Sequence, residues 1–184
     1  MNNRVYRILV INTGSTSTKI ALYENDRRIV YDNLPADKEL IRTAFNPLDQ
    51  LEDRRSSILG FIARNQIDMN TIDMISSRGG TLPPCQGGAY EVNDFMIDVL
   101  KYAPLSTHAS SLASMLGQEL AEEYNIRHII YDSVSTDEMN EIACISGIPD
   151  ILNNTGSHVL NPRMVARHVS ENRLHKKYKD ARII

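Results

Sequence analysis

Cysteine is scarce in this chain: Cys85 and Cys144 lie far apart and form no CxxC pair. A disulfide framework is a poor fit to two such residues, and free thiols in a reducing cytosol a good one. An excess of one charge is missing too, since 20 Lys and Arg stand against 23 Asp and Glu, a net charge of -3. That leaves no broad basic field for nucleic acid or an anionic membrane. No apolar run approaches the length that crosses a bilayer. The start, Met1-Asn2-Asn3-Arg4, leads into a strand without the apolar stretch of a signal peptide. The expected location is cytoplasmic. The five histidines form no HxxH or similar ligand pair. Internal repeats and low-complexity linkers are absent.

What is present suits a folded enzyme-sized domain. The 184 residues fit one domain, or one and part of another, with 42% apolar and 23% charged residues. Residues 5–11 (VYRILVI) read as a strand buried on both faces by its end, 18–24 as an alternating strand, and 27–34 as a third after the turn Glu24-Asn25-Asp26. Short links between them predict an antiparallel meander. Pro47 opens a helix to about residue 65, and 71–76 is a short strand ending at Ser77-Arg78-Gly79-Gly80. Thr81 to Gly88, with Pro83, Pro84 and Gly87-Gly88, is a loop of functional character. Asn93 caps a helix to about Tyr102, a second runs from about Ala109 to Tyr124, and 127–132 is a strand. Ser135 with Glu138 has the spacing of a capping box for a helix stopped by Gly147 and Pro149. Asn161-Pro162 opens a last helix, with Asn as its cap and a basic end at His175, Lys176, Lys177 and Lys179. Residues 181–184 resemble the start of a further strand.

The stretch from Val10 to Asn25, VINTGSTSTKIALYEN, places small hydroxyl residues between two strands and a lysine after them. A polar hairpin turn would have this composition. So would a phosphate cradle, in which exposed N–H groups bind an anion, Ser15 and Ser17 add hydroxyls, and Lys19 adds charge. It is not a Walker A loop, because the second glycine is missing and a strand follows instead of a helix.

NTGSTSTKIALYEND resembles the first phosphate loop of the acetokinase family, within the actin, sugar kinase and Hsp70 (ASKHA) fold group. The resemblance continues in order through SRGG, GGAYEVND, HASSLA, YDSVSTDEMNEIACISGIPDI and HVLNPRMVAR. It covers nearly the whole chain and is strongest for the family's butyrate-phosphorylating branch. It implies an α/β, ribonuclease H-like ATPase domain: three antiparallel strands, then alternating helices and parallel strands. It also implies a carboxylate kinase converting ATP and butyrate to ADP and butyryl phosphate with magnesium. Residues 1–184 would be the N-terminal acetokinase-like domain, with the family's C-terminal domain absent. The alternative is a non-catalytic, truncated or split half that binds phosphate or pairs with a separate C-terminal chain. A homo-oligomer is a further expectation; a sugar kinase of the same fold group fits the blocks around Arg78 and His108 less well. Three positions depart from the family: Thr13 and Ser133 stand where relatives usually have Pro, and Ser157 where an aromatic is usual.

A carboxylate substrate is already ionised near neutral pH, so it needs no general base. Its kinase needs cations and donors that align two anions, plus a metal ligand. Arg78 suits a planar oxyanion, and the same residue also suits an ordinary surface turn. Asp132, at the end of an apolar strand, suits magnesium or its waters; it equally suits a simple turn cap. By the resemblance, Arg78, Asp132 and His158 are the catalytic candidates. Asn12, Gly14, Ser15, Ser17 and Lys19 are the nucleotide-phosphate candidates, and Asn12 and Asp132 the metal candidates. His108 and His158 also admit purely structural roles.

Overall fold

The structure is a computed structural model that describes residues 4–44, 46–102, 108–153, 156 and 158–183. Three strands open it: β1 (Arg7–Thr13), β2 (Ser17–Glu24) and β3 (Arg27–Pro35). They form the predicted meander, β1 antiparallel to β2 and β2 to β3. β1 alternates more than its composition suggests. Leu9, Ile11 and Thr13 are buried on one face, whereas Ile8 and Val10 are half-buried and Asn12 exposed on the other. Thr13 keeps its buried hydroxyl satisfied by donating to the Ala109 carbonyl at 2.6 Å.

A short helix α1 (Lys38–Thr43), capped by Asp37, was not legible. The segment from Pro47 begins as a 3-10 turn, Pro47–Gln50, and becomes α2 (Leu51–Arg64). Strand β4 is Met74–Ser77, with a 3-10 turn at Met69–Thr71 where an earlier start was expected. The glycine-rich loop leads into a three-residue strand β5 (Ala89–Glu91). Asn93 caps α3 (Asp94–Tyr102) by accepting from the Met96 N–H. A 3-10 turn at Ala109–Ser111 leads into α4 (Leu112–Tyr124), followed by β6 (Arg127–Tyr131). The last long element is α5 (Leu160–Asn172).

The sheet order is β3-β2-β1-β4-β6-β5. β1, β4 and β6 run parallel, and β5 closes the edge antiparallel to β6. α4 packs on all three parallel strands, and α2 packs on β3 and α4. The core lies between them: Leu9, Ile11, Ile20 and Ile75 from the sheet meet Ile58, Phe61, Leu112 and Leu116 from the helices. Removing these side chains from water is the main stabilising contribution.

Three expectations fail. Residues 136–147 form turns and isolated bridges, not a helix. The Ser135 hydroxyl accepts from the Leu82 N–H, and Glu138 reaches Arg163 and the Gly87 N–H. Both capping groups are thus engaged by distant loops. α5 begins at Leu160, after Val159, so Pro162 sits within its first turn and Asn161 is not the cap. It ends at Asn172, so the basic cluster lies beyond its last turn, although the Lys176 N–H still donates to the Ser170 carbonyl at 2.9 Å. Residues 181–183 form no strand; Ile184 and the departing Ser157 lie outside the described residues. Among the described residues no helix is long and apolar enough to cross a membrane.

Candidate active site

Three parallel strands bring their C-terminal ends to one edge, where open α/β sheets bind ligands. Asn12 lies near the end of β1, Arg78 follows β4, and Asp132 follows β6. A cavity of about 600 Å³ opens there between the sheet and the start of α5. Its lining includes Asn12, Lys19, Arg78, Asp132 and His158, five of the eight residues singled out in the sequence. Gly14, Ser15 and Ser17 are not in that lining; they form the tip of the β1–β2 turn.

The turn is tight. The Gly14 N–H donates to the Ser17 carbonyl at 2.8 Å, and Asn12 pairs directly opposite Lys19 in the antiparallel ladder. Both side chains leave the solvent-facing side, because alternation sends Thr13 and Thr18 into the core. Below the turn lies Arg54, only 1% exposed. Its guanidinium donates to the Gly14 carbonyl at 2.8 Å, the Ser15 carbonyl at 3.3 Å and Thr18 Oγ1 at 3.0 Å. It also donates twice to Gln50 Oε1, at 2.8 and 3.1 Å. Sequence reading missed Arg54. The available signal was a charged residue inside the apolar stripe of α2, in line with Ile58, Phe61 and Ile62.

Arg78 is half-buried, and burial lowers its pKa. Among the described residues no carboxylate forms an ion pair with it. Its backbone is fixed at both ends: the N–H donates to the Ile11 carbonyl at 2.9 Å, and the carbonyl accepts from Ser114 Oγ at 3.1 Å. A Cβ on Gly80 would stand 2.6 Å from Ser111 Cα and 2.7 Å from Leu100 Cδ2, so only glycine lets this loop approach α3 and the 3-10 turn before α4. Behind Arg78, Ser77 Oγ lies 2.7 Å from His128 Nε2, and His128 Nδ1 lies 3.1 Å from Gln118 Oε1. Burial pushes the His128 imidazole down to about 4, which keeps it neutral in this polar support.

Asp132 sits in the left-handed region at φ 42°, a conformation an aspartate tolerates better than most residues. Its N–H donates to the Gly88 carbonyl at 3.0 Å, and its Oδ1 accepts from the Gly88 N–H at 2.8 Å. Arg163 donates to both carboxylate oxygens and also pairs with Glu138. Arg163 and Glu138 were missed because their pairing spans separate segments. His108 has a local role: its Nδ1 accepts from the Ser110 N–H at 3.1 Å, capping the turn before α4.

Among the described residues no group of three or more His, Cys, Asp or Glu could hold a metal. One carboxylate, Asp132, and two amides, Asn12 and Asn161, share the cavity. That set does not suit zinc. It fits magnesium, which takes one or two protein ligands and completes its shell with water and phosphate.

No protein-family model matches the chain. It is 38% identical over 162 residues to a probable butyrate kinase of Clostridium botulinum strain Eklund 17B, and equally to that of strain Alaska E43. The alignment covers 88% of this chain and 46% of each relative, so the chain spans about half their length. Among solved structures it is similar to acetate kinase from Porphyromonas gingivalis, with a TM-score of 0.63 and 18% identity over 97% of this chain and 51% of that one. A propionate kinase from Francisella tularensis gives a TM-score of 0.59 and 15% identity, covering 93% of this chain and 50% of that one. These two likenesses establish the ribonuclease H-like α/β fold. By sequence over most of its length this chain is similar to about half of a probable butyrate kinase, and by fold over nearly all of it to about half of an acetate kinase.

Proposed function

We propose that the chain provides the carboxylate-binding and phosphate-turn half of a kinase that transfers the terminal phosphoryl group of ATP to butyrate or a similar short-chain acid. The observation carrying this reading is the convergence of Asn12, Lys19, Arg78, Asp132 and His158 on one cavity, in a chain 38% identical to half of a probable butyrate kinase.

In this reading the ionised acid supplies an oxygen nucleophile, which attacks the terminal phosphorus as the bond to the ADP oxygen breaks. Arg78 holds the planar carboxylate or the transferred phosphoryl through paired N–H donors. Lys19 and the 14–17 turn receive the phosphates, and His158, which lines the same cavity, adds a donor. Burial around Arg78 strengthens its field, and no proton has to move for the carboxylate to react. Asp132 and Asn12 would hold magnesium, which when bound neutralises phosphate charge. ATP and free thiols both suit a cytoplasmic protein.

A second reading rests on length. Since the chain spans about half of its curated relatives, it acts only when a complementary half completes the nucleotide site. One assay separates the two. The purified chain is incubated with magnesium, ATP and butyrate, with acetate as comparison, and acyl phosphate is trapped as hydroxamate. Product with butyrate that disappears in Lys19→Ala establishes the kinase in this chain. Product only after adding the C-terminal half of a relative establishes the second reading. No product under either condition rejects the carboxylate kinase.

A further inference from the structure

Arg54 is the largest fully buried charged side chain, yet every oxygen it bonds is neutral: two carbonyls, one hydroxyl and one amide oxygen. Arginine stays cationic even when burial opposes it. The chain neighbour of Arg54, Asp53, acts on it only through space, with no hydrogen bond or ion pair between them; a guanidinium taken out of water without a bonded carboxylate is costly, and a fold needing only packing would place a leucine or methionine there. The remaining work for that charge lies in what it touches, the Gly14–Thr18 turn.

We propose that Arg54 is the positioning residue of the phosphate turn, and that its unneutralised charge makes the turn an anion receptor; this rests on the phosphate-binding reading above. Two effects act together. Arg54 Nη2 draws the Gly14 and Ser15 carbonyls toward the protein interior, so their negative ends point away from an incoming phosphate. The cation then adds its field from below, through a medium that screens it less than water does. Lys19 approaches the anion from the exposed side and Arg54 from the buried side. Gln50 is the selective element. Its amide oxygen holds the guanidinium through two bonds without cancelling its charge, which glutamate would do. Gln50 is itself buried at 7% exposure, so a carboxylate there would meet the guanidinium with little screening.

Gln50→Glu tests the charge while keeping the hydrogen-bond geometry. The nitrogen-15-labelled protein is titrated with inorganic pyrophosphate, and the Gly14–Thr18 amide shifts are followed by NMR, with a thermal melt of each variant. We expect saturable shifts at the turn in the wild type. In Gln50→Glu the free-state turn shifts and melting temperature are expected to be kept or improved, with affinity about tenfold weaker. A purely structural arginine would show the same melting behaviour and unchanged affinity, and that result overturns this inference alone. Absence of saturable shifts at residues 14–18 in the wild type overturns it together with the phosphate reading. Arg54→Met is a second variant, expected to alter the free-state turn shifts as well; if it fails to fold, Gln50→Glu still decides.

Discussion

Arg163 donates to both carboxylate oxygens of Asp132, at 3.1 Å each, so the best cation ligand in the cavity already faces a cation from the protein. Arg163→Met leaves Asp132 with the Gly88 N–H alone among these partners. Affinity for Mn²⁺, measured calorimetrically, is expected to rise about tenfold, because a competing charge at hydrogen-bond distance has gone. Unchanged Mn²⁺ affinity would remove Asp132 from the metal candidates.

Arg78 carries the most specific catalytic prediction. In an active assembly, Arg78→Ala is expected to lower turnover at least about a hundredfold, the scale seen when one preorganised transition-state donor is lost. Arg78→Lys should recover only part of this, since an ammonium lacks the planar fork. Melting temperatures should move little, because the interactions that fix residue 78 in the structure are made by its backbone. Near-normal turnover of Arg78→Ala would assign the oxyanion to another group.

His128 gives the fold a pH dependence. Its folded pKa, about 4, lies below the ordinary 6.5, so between these values the unfolded chain holds the extra proton. The stability linked to this group is complete above about pH 6.5 and declines as pH falls toward 4. Between pH 7 and 5 the loss is about 2 kcal/mol. Urea melts at the two pH values read it directly. His128→Gln should be less stable at pH 7 but lose less on acidification; an equal loss in both proteins would assign the slope to other groups.

Gly80→Ala tests the approach of the Arg78 loop to the helix layer. Its new Cβ would meet backbone at Ser111 and the Leu100 side chain, which cannot both yield. A cost of about 1–3 kcal/mol is expected from this overpacking. Unchanged melting would mean that the loop can stand further from Leu100 and Ser111.

Strands and buried helices were legible because their apolar residues repeat at periods of two and 3.6. The meander, α4 and β6 emerged that way, whereas Asn12, Lys19, Arg78 and Asp132 were singled out through the family resemblance, which no periodicity carries. The helix expected after Ser135 was not formed, because its capping groups serve contacts with Leu82, Gly87 and Arg163. No local pattern records such long-range competition. Arg163 escaped for the same reason, since Asp132 lies 31 residues away; Arg54 did leave a local trace, a charge in the apolar stripe of α2, but its bonds to the Gly14–Thr18 turn are long-range.

The register that sets Asn12 opposite Lys19 also limits how the chain can change length. Inserting one residue within β1 or β2 would turn everything beyond it to the other face, exchanging a buried threonine for an exposed lysine. The tip is closed to insertion as well, because the Gly14 N–H bond to the Ser17 carbonyl and the Arg54 bonds to the Gly14 and Ser15 carbonyls span it. Related sequences should accordingly keep the whole segment from Arg7 to Glu24 free of gaps.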